Sequence, residues 1–468
     1  MGNELWRHGA LELAGMIARG EVSSVEVVHA HLARIDEVNP KLNAVVRRFD
    51  DDALAAAAAA DAAVASGAPL GVLHGVPMTV KENIDLAGTP TTSSLVAFAD
   101  AIVPRDAPVV ERMKAAGAIP IGRTNLPDMG LRVTTESSLH GVTHNPWHRD
   151  RTAGGSSGGE ASALSSGMSP IGLGNDIGGS LRNPAHCCGI ASIKPSVGVI
   201  PSAATLPPED MTISFQLMAV EGVMARTVAD VRAGFLAVAG PHERDPLALP
   251  VQLADLDTSR PLRVALIPEP AGGSTDPGIA AAIRGAGEAL AKQGAIVEEA
   301  SPASYERAIE LWGALLGTEL TLMRPLLDMV MGEGGRQFLD LTTQIIPTAD
   351  LAGFSQVFLG RHAAEKDFHT FLGRYDVIIS PTWALPAFEL GSDAASLEGA
   401  QRTLETMRPV LPANFLGLPA AVVPVGVSDG LPVGAQVIAR RFADLRCLTV
   451  AQMLEDAFGT ITPIDPTW

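Results

Sequence analysis

The pattern of apolar and polar positions predicts helices over the first third of the chain. Residues 23–26 read Ser-Ser-Val-Glu, the spacing of a helix capping box, and the apolar residues that follow recur on one helical face. We expect this helix to end at Asn39-Pro40, because proline stops a helix. An alanine-rich run over 51–66, closed by Gly67, predicts a second helix.

Short apolar runs then alternate with helical ones. Residues 75–81 predict a buried strand that ends at Lys81, 109–116 predict a helix that Gly117 caps, and 118–122 predict another strand. Strands that alternate with helices are typical of an α/β fold. We therefore expect a large mixed, mostly parallel central sheet with helices covering both faces.

The remainder of the chain continues in the same way. Proline and aspartate accumulate over 240–259, which indicates a linker or surface loop, and 305–375 read as helices with a Leu/Met-rich patch over 315–331. Further strands are predicted at 261–267, 376–379, 421–423 and 433–438, and a last helix at 445–457. Because neither an internal repeat nor a convincing boundary interrupts the chain, we predict a single domain over 1–468.

Charge and cysteine content narrow the class of partner and compartment. The 468 residues carry 52 acidic against 34 basic side chains, and the formal charge of −18 disfavours nucleic acid and anionic membranes as partners. The three cysteines cannot form a disulfide framework, so we expect a reducing compartment and a cytoplasmic protein. No signal peptide is evident, and the longest apolar run, 53–60, is too short to cross a membrane.

Two serines set between glycines carry the candidate chemistry. Ser156 lies in Gly-Gly-Ser-Ser-Gly-Gly over 154–159, and Ser180 follows Asp-Ile-Gly-Gly, 24 residues further along. Such a serine can present its hydroxyl group together with several backbone N–H groups, which is what acyl transfer requires of a nucleophile and an oxyanion hole. The candidate base is Lys81, which would have to be desolvated enough to be neutral.

Each of these residues also has a simpler interpretation. The 154–159 segment is typical of a flexible loop. It matches the hydrolase elbow G-x-S-x-G, but the preceding residues 148–153 are polar rather than strand-like, and no G-K-[ST] follows as in a phosphate loop. Ser180 alone is typical of a helix cap, and Lys81 alone is typical of a solvated surface residue.

Two groups of potential metal ligands are discounted. His140, His144 and His148 have a helical spacing, but the glycine and proline between them argue against a helix, so we expect loop histidines. The consecutive residues His186, Cys187 and Cys188 lack a second ligand cluster and are predicted to be buried. We therefore expect no metal site.

Three motifs together resemble the amidase signature family. They are Gly-Val-Pro-Met-Thr-Val-Lys-Glu-Asn, which contains Lys81, and the two glycine-rich motifs around Ser156 and Ser180. Their separations, 75 residues from lysine to serine and 24 between the serines, also fit that family. Asn175 departs from the pattern, since relatives commonly carry threonine there, and we read no functional change into it. The resemblance extends over nearly the whole chain, through segments at 145–147, 188–190, 194–195, 414–419 and 430–436.

The resemblance implies a single α/β/α domain and a hydrolase that needs neither a metal nor an organic cofactor. Ser180 would attack the carbonyl carbon, and Ser156, whose peptide bond is cis in the family, would relay the proton to Lys81. The same resemblance implies an oxyanion hole built from the backbone N–H groups of Ile177, Gly178, Gly179 and Ser180.

The substrate is less closely defined. Family members hydrolyse small amides, peptide amides, fatty amides, anilides and carbamates. The patch at 315–331 favours an apolar pocket, although buried helix packing explains it about as well, and we expect the helical segment 305–375 to cover that pocket. We predict hydrolysis of small hydrophobic or aryl amides, with related carbamates or esters as further substrates.

Two other functions stay open at this point. One is the A subunit of a tRNA-dependent glutamine amidotransferase, which works with partner chains and passes on ammonia. The other is a non-catalytic binding protein on the same fold, against which the intact Lys81, Ser156 and Ser180 argue. We expect a small-molecule amide as the partner, no nucleic acid and no membrane, and we leave a homodimer open.

Overall fold

The computed structural model describes residues 4–205, 211–253, 255–257 and 259–468. Its central feature is an eleven-stranded sheet. The described strands, of which all but β4 to β7 belong to this sheet, are β1 (Val45–Arg48), β2 (Pro77–Lys81), β3 (Ile119–Thr124), β4 (Glu136–Ser137), β5 (Gly141–Val142), β6 (His144–Asn145), β7 (His148–Thr152), β8 (Ile171–Asp176), β9 (Ala191–Lys194), β10 (Val220–Ala225), β11 (Arg263–Leu266), β12 (Ile296–Glu299), β13 (Val377–Pro381), β14 (Ala420–Ser428) and β15 (Leu431–Ile438).

The helices surround this sheet. They are α1 (Ala10–Ala18), α2 (Ser24–Leu42), α3 (Asp50–Ser66), α4 (Pro108–Ala115), α5 (Gly158–Ser165), α6 (Arg182–Cys188), α7 (Ile213–Met218), α8 (Val228–Val238), α9 (Pro277–Lys292), α10 (Tyr305–Val330), α11 (Glu333–Thr342), α12 (Leu351–Phe371), α13 (Leu397–Thr406), α14 (Leu411–Phe415) and α15 (Asp444–Phe458). Short 3₁₀ helices lie at Leu5–Arg7, Val96–Phe98, Asp128–Gly130 and Arg408–Val410. None of the described helices is both long enough and apolar enough to span a membrane.

The sheet is mixed, which confirms that part of the prediction. Its strand order is β1-β3-β2-β8-β10-β9-β14-β15-β13-β11-β12. The expectation that it is mostly parallel is wrong, because six of the ten described pairings within this sheet are antiparallel. One cause is the β14–β15 hairpin, whose turn residues Asp429 and Gly430 have φ angles of 51° and 77°, the left-handed values that tight hairpins use.

Helices cover both faces of the sheet, as expected. Successive strand residues point to opposite faces, and Ile378 and Ile379 of β13 accordingly belong to different hydrophobic clusters. The cluster that contains Ile379 packs against α1, α4, α8, α9 and α15, whereas the one that contains Ile378 packs against α10, α12 and α14. The single-domain organisation stays a prediction.

Capping residues in the sequence predicted most helix boundaries correctly. The capping box forms at Ser23, and α3 ends at Gly67 with a φ of 70°. The predicted stop at Pro40 is wrong by half a turn, because α2 continues to Leu42 and ends where the N–H of Asn43 donates to the carbonyl of Asn39 at 2.8 Å. The described part of 240–259 is a loop with an isolated bridge, as expected, while 254 and 258 lie outside the described residues.

Candidate active site

The three candidate residues lie at the ends of adjacent elements. Lys81 ends β2, which pairs in parallel with β8, so the carboxyl ends of both strands meet at one edge of the sheet. Ser180 follows β8 in the turn before α6, and Ser156 lies in the turn before α5. The structure therefore brings Lys81, Ser156 and Ser180 to one region, as the sequence predicted.

Lys81 and Ser156 are in direct contact inside the protein. The distance from Lys81 Nζ to Ser156 Oγ is 2.7 Å, and the exposed fractions of the two residues are 0% and 2%. The N–H of Ser157 donates to the carbonyl of Ser180 at 3.2 Å, which holds the two glycine-rich turns side by side. The interpretation of Lys81 as a solvated surface residue is therefore wrong.

The first glycine-rich turn leaves no space for a side chain at Gly154 or Gly155. The Gly155–Ser156 peptide bond is cis, in agreement with the resemblance. A Cβ atom at Gly155 would lie 2.6 Å from the carbonyl oxygen of Arg132, and one at Gly154, whose φ is 81°, would lie 2.7 Å from Pro184 Cα. Glycine is required at both positions because backbone from other segments lies against them.

Burial sets the protonation state of the lysine. Loss of hydration lowers the pKa of Lys81 to about 7, although the carboxylates of Glu221, Asp176 and Glu160 act in the opposite direction. A buried ammonium group loses hydration that nearby charges replace only in part. A large fraction of Lys81 is therefore neutral near pH 7 and able to accept a proton.

A buried carboxylate organises the second glycine-rich turn. Asp176 accepts hydrogen bonds from the N–H groups of Gly179 at 2.8 Å and Leu181 at 3.1 Å. It also pairs with Arg182 through Nε and Nη2, both at 3.0 Å. Burial alone would raise the pKa of Asp176, but the Arg182 guanidinium overrides it and holds that pKa well below its usual range.

Residues from the C-terminal half complete this arrangement. Asn414 donates its Nδ2–H to Asp176 Oδ1 at 2.9 Å and accepts a hydrogen bond from Arg182, which also donates to Gln436 Oε1 at 3.2 Å. We call Asp176, Arg182, Asn414 and Gln436 the Asp176 cluster. It gives a physical reason for the resemblance at 414–419 and 430–436, since those segments hold the turn that carries Ser180.

One of the four N–H groups expected to form the oxyanion hole, that of Gly179, is already used in another hydrogen bond. This N–H is directed at Asp176 and is already satisfied. The N–H groups of Ile177, Gly178 and Ser180 have no protein acceptor within the part of the chain that the structure describes. Of the four N–H groups that the resemblance assigns to an oxyanion hole, that of Gly179 therefore already has an acceptor.

An apolar cavity opens beside Ser180. Its walls come from α10, α11, the end of α13 and the turn before β4, and Trp312 of α10 donates its Nε1–H to the carbonyl of Ile177 at 3.0 Å. The described lining residues are Gly130, Leu131, Arg132, Val133, Ile177, Gly178, Ser180, Trp312, Leu316, Leu320, Phe338, Leu339, Thr342, Ile346, Leu404 and Met407. Two residues of the Leu/Met-rich patch, Leu316 and Leu320, are thus pocket residues.

Comparison with known proteins identifies the family. The Amidase family model matches residues 26–448. The chain belongs to the amidase family. Among its relatives, the indoleacetamide hydrolase of Bradyrhizobium diazoefficiens is 38% identical over 98% of this chain and 88% of that protein.

Two further matches bear on function. The A subunit of the glutamyl-tRNA(Gln) amidotransferase of Salinispora arenicola is 34% identical over 97% of this chain and 98% of that protein. The crystal structure of a bacterial aryl acylamidase of the amidase signature family superposes with a TM-score of 0.82, at 27% identity over 96% of both chains. This chain is an amidase, an enzyme that hydrolyses amide bonds.

Two polar residues near the lysine of this amidase, Glu160 and Glu221, were missed from the sequence, and a third, Asn175, was noticed but given no role. Asn175 Oδ1 lies 2.6 Å from Lys81 Nζ, so the departure from threonine falls in the site itself. Glu160 is buried against Thr79 and Thr124, and burial raises its pKa to about 7. A lone acid among the small residues of α5 was the available signal for Glu160.

The other missed residue is Glu221, a lone acid in the apolar strand β10. It is the register partner of Asn175 across the β8–β10 pairing, and its Oε2 is buried without a partner among the described residues. Burial of the carboxylate raises the pKa of Glu221 to about 7, against the attraction of Lys81. The amidase therefore has three ionisable groups with a pKa near 7 in one place.

The discounted metal ligands have other roles. His140 binds the carboxylate of Glu82 at 2.6 Å. His144 and His148 do not lie on a helix, as predicted, but the expectation that they lie in a loop is wrong, because they belong to the short strands β6 and β7. Cys187 and Cys188 are buried in α6. Across the described ranges, no three His, Cys, Asp or Glu side chains are grouped as metal ligands would be.

Proposed function

We propose that the amidase works through a covalent acyl-enzyme on Ser180. The Ser180 oxygen attacks the amide carbonyl carbon while its proton passes to Ser156 Oγ, and the Ser156 proton passes to neutral Lys81. When the tetrahedral intermediate collapses, Ser156 gives a proton to the leaving amine and regains one from Lys81. Water then attacks the acyl-enzyme by the same proton route and releases the acid.

The observation that carries this proposal is the contact between Lys81 and Ser156. A distance of 2.7 Å allows direct proton transfer, and burial supplies the neutral amine that transfer requires. The free N–H groups of Ile177, Gly178 and Ser180 support an oxyanion hole at the same place.

We further propose that the substrates are hydrophobic or aryl amides, with related carbamates and esters as secondary substrates, because all three pass through the same kind of tetrahedral intermediate. The cavity beside Ser180 supports this assignment, since its walls are mainly aliphatic and aromatic. The names of two similar proteins, an indoleacetamide hydrolase and an aryl acylamidase, point the same way.

The amidotransferase A subunit is the second candidate, on the strength of the relative that is 34% identical. Glutamine carries an α-carboxylate and an ammonium group, and a site for it needs matching charges. The only charged side chain among the described lining residues is Arg132, which is already paired with Asp393 at 2.7 Å and with Glu136 at 2.7 Å. This pairing favours an uncharged substrate.

The proposed enzyme acts on a small molecule in the cytoplasm without a partner chain. The three cysteines are free and buried, which is consistent with a reducing compartment. The homodimer stays a prediction, which sedimentation of the purified chain would test.

A substrate panel tests the proposed function. We expect the isolated chain to hydrolyse an anilide and a series of straight-chain anilides, with kcat/KM rising about fourfold per added CH₂, equivalent to about 0.8 kcal/mol, until the cavity is filled. Glutamine and a short aliphatic amide are the comparison substrates. A flat series, or glutamine as the best substrate, would contradict the substrate assignment and leave the acyl-enzyme mechanism standing.

A further inference from the structure

The environment of Asn175 differs from what threonine would provide. Its Oδ1 lies 2.6 Å from Lys81 Nζ, and its Nδ2–H donates to Asn83 Oδ1 at 3.0 Å. Asn83 in turn directs its own Nδ2–H toward Asn175 Oδ1, at 3.4 Å. Because the Nδ2 group of Asn175 already has an acceptor, the side-chain amide is held with its oxygen toward the lysine.

An amide oxygen can only accept hydrogen bonds. A neutral lysine amine has two N–H groups and one lone pair. When one N–H of Lys81 Nζ is directed at Asn175, the lone pair of that nitrogen can face its other neighbour. This neighbour is Ser156 Oγ, at 2.7 Å. A threonine hydroxyl, by contrast, can donate as well as accept, so it could compete with Ser156 for the lone pair.

We propose that Asn175 is a positioning residue that orients the lone pair of Lys81 toward Ser156, with Asn83 fixing the orientation of the Asn175 amide. This inference rests on the proposed role of Lys81 as the base. It assigns to Asn175 an effect on proton transfer and none on substrate binding, because its side chain contacts the lysine, Asn83 and Glu221 rather than the cavity.

The charges around the lysine make the proposal testable by pH. Glu160 on α5, Asp176 on β8 and Glu221 on β10 face Lys81, and Arg123 on β3 donates to the Lys81 carbonyl at 3.3 Å. Asn175 adds no charge to this set. Asn175→Asp would add a carboxylate in contact with the amine, and an opposite charge at that range raises the pKa of a lysine by about 1–3 units.

The experiment compares the pH dependence of kcat/KM for four forms of the full chain on one anilide: the parent, Asn175→Asp, Asn175→Thr and Asn175→Leu. We expect the acid limb of the pH profile of kcat/KM to lie about one pH unit or more higher in Asn175→Asp than in the parent, with activity recovered at high pH. Asn175→Leu should lower kcat at least tenfold with KM within twofold, and Asn175→Thr should be intermediate. Asn43→Asp, which adds the same charge at a residue whose Nδ2 binds the His140 carbonyl, is the matched control and should leave the limb in place.

Different results would contradict the positioning role of Asn175 and the role of Lys81 as the base. An unmoved limb in Asn175→Asp, or a raised KM with unchanged kcat in Asn175→Leu, overturns the positioning role while Lys81→Ala and Ser180→Ala remain inactive. Full activity in Lys81→Ala overturns the proposed function itself. If Asn175→Leu proves unstable on thermal unfolding, the limb of Asn175→Asp decides the question alone.

Discussion

The pH dependence of amide hydrolysis is the most direct test of the site. Burial places the pKa of Lys81 at about 7. If neutral Lys81 is the base, the active fraction is about one tenth at pH 6, about half at pH 7 and about nine tenths at pH 8, and kcat/KM should follow it. An ordinary lysine, with a pKa of about 10.4, would give a limb more than three pH units higher.

Two carboxylates could produce a limb in the same range, because the pKa values of Glu160 and Glu221 are also raised to about 7. Glu160→Gln and Glu221→Gln separate these origins. Both negative charges raise the pKa of Lys81, so removing either should move the limb to lower pH without abolishing it. If a glutamate were the titrating group, its glutamine variant would lose the limb altogether.

The assay is kcat/KM on a stable anilide between pH 5 and pH 10 at constant ionic strength. Lys81→Ala should reduce the plateau by about 10²–10⁴-fold, the usual contribution of a general base. Lys114→Ala, which removes an exposed lysine paired with Asp106, is the control and should retain the parent profile. A limb near pH 10, or a Lys81→Ala variant with the parent profile, would refute the reasoning.

Three further predictions concern the nucleophile, the pocket and the fold. A sulfonyl fluoride should label Ser180, which mass spectrometry of the digested protein would detect, and a label on another serine would contradict the acyl-enzyme assignment. Leu316→Ala should shift the preferred acyl length of an anilide series upward, whereas Leu322→Ala, at a position that is 76% exposed on the same helix, should not. Arg182→Met should lower the free energy of unfolding in urea by about 3–5 kcal/mol, because it leaves a buried carboxylate unpaired. Arg307→Met, which removes an exposed ion pair, should change the free energy of unfolding by less than about 1 kcal/mol. Equal losses in the two variants would contradict the stabilising role of Arg182.

Much of the fold could be predicted because its elements carry local signals. The strand that ends at Lys81, the helices between 305 and 375 and the final helix follow from the spacing of apolar residues. The direction of strands in the sheet could not be predicted, since it depends on which distant strands pair. Strand β10, for example, lies antiparallel between β8 and β9, and its own residues do not specify that position.

The site divides in the same way. Lys81, Ser156 and Ser180 were recognisable because glycines and spacing mark them. Asn175 was noticed as a departure, but its meaning depends on a 2.6 Å contact across two strands that only the fold reveals. The same holds for Gly179, whose N–H binds Asp176 rather than remaining free for an oxyanion.

The Asp176 cluster joins residues that are far apart in the sequence and are therefore synthesised at different times. Asn414 and Gln436 lie 238 and 254 residues beyond their partners Asp176 and Arg182. Proteins fold from the N-terminus as they are synthesised, so a growing polypeptide exposes both serines and the lysine long before those two side chains leave the ribosome. A nascent or prematurely terminated chain without Asn414 and Gln436 therefore lacks two of the hydrogen-bond partners that hold the Ser180 turn, and we expect it to be inactive.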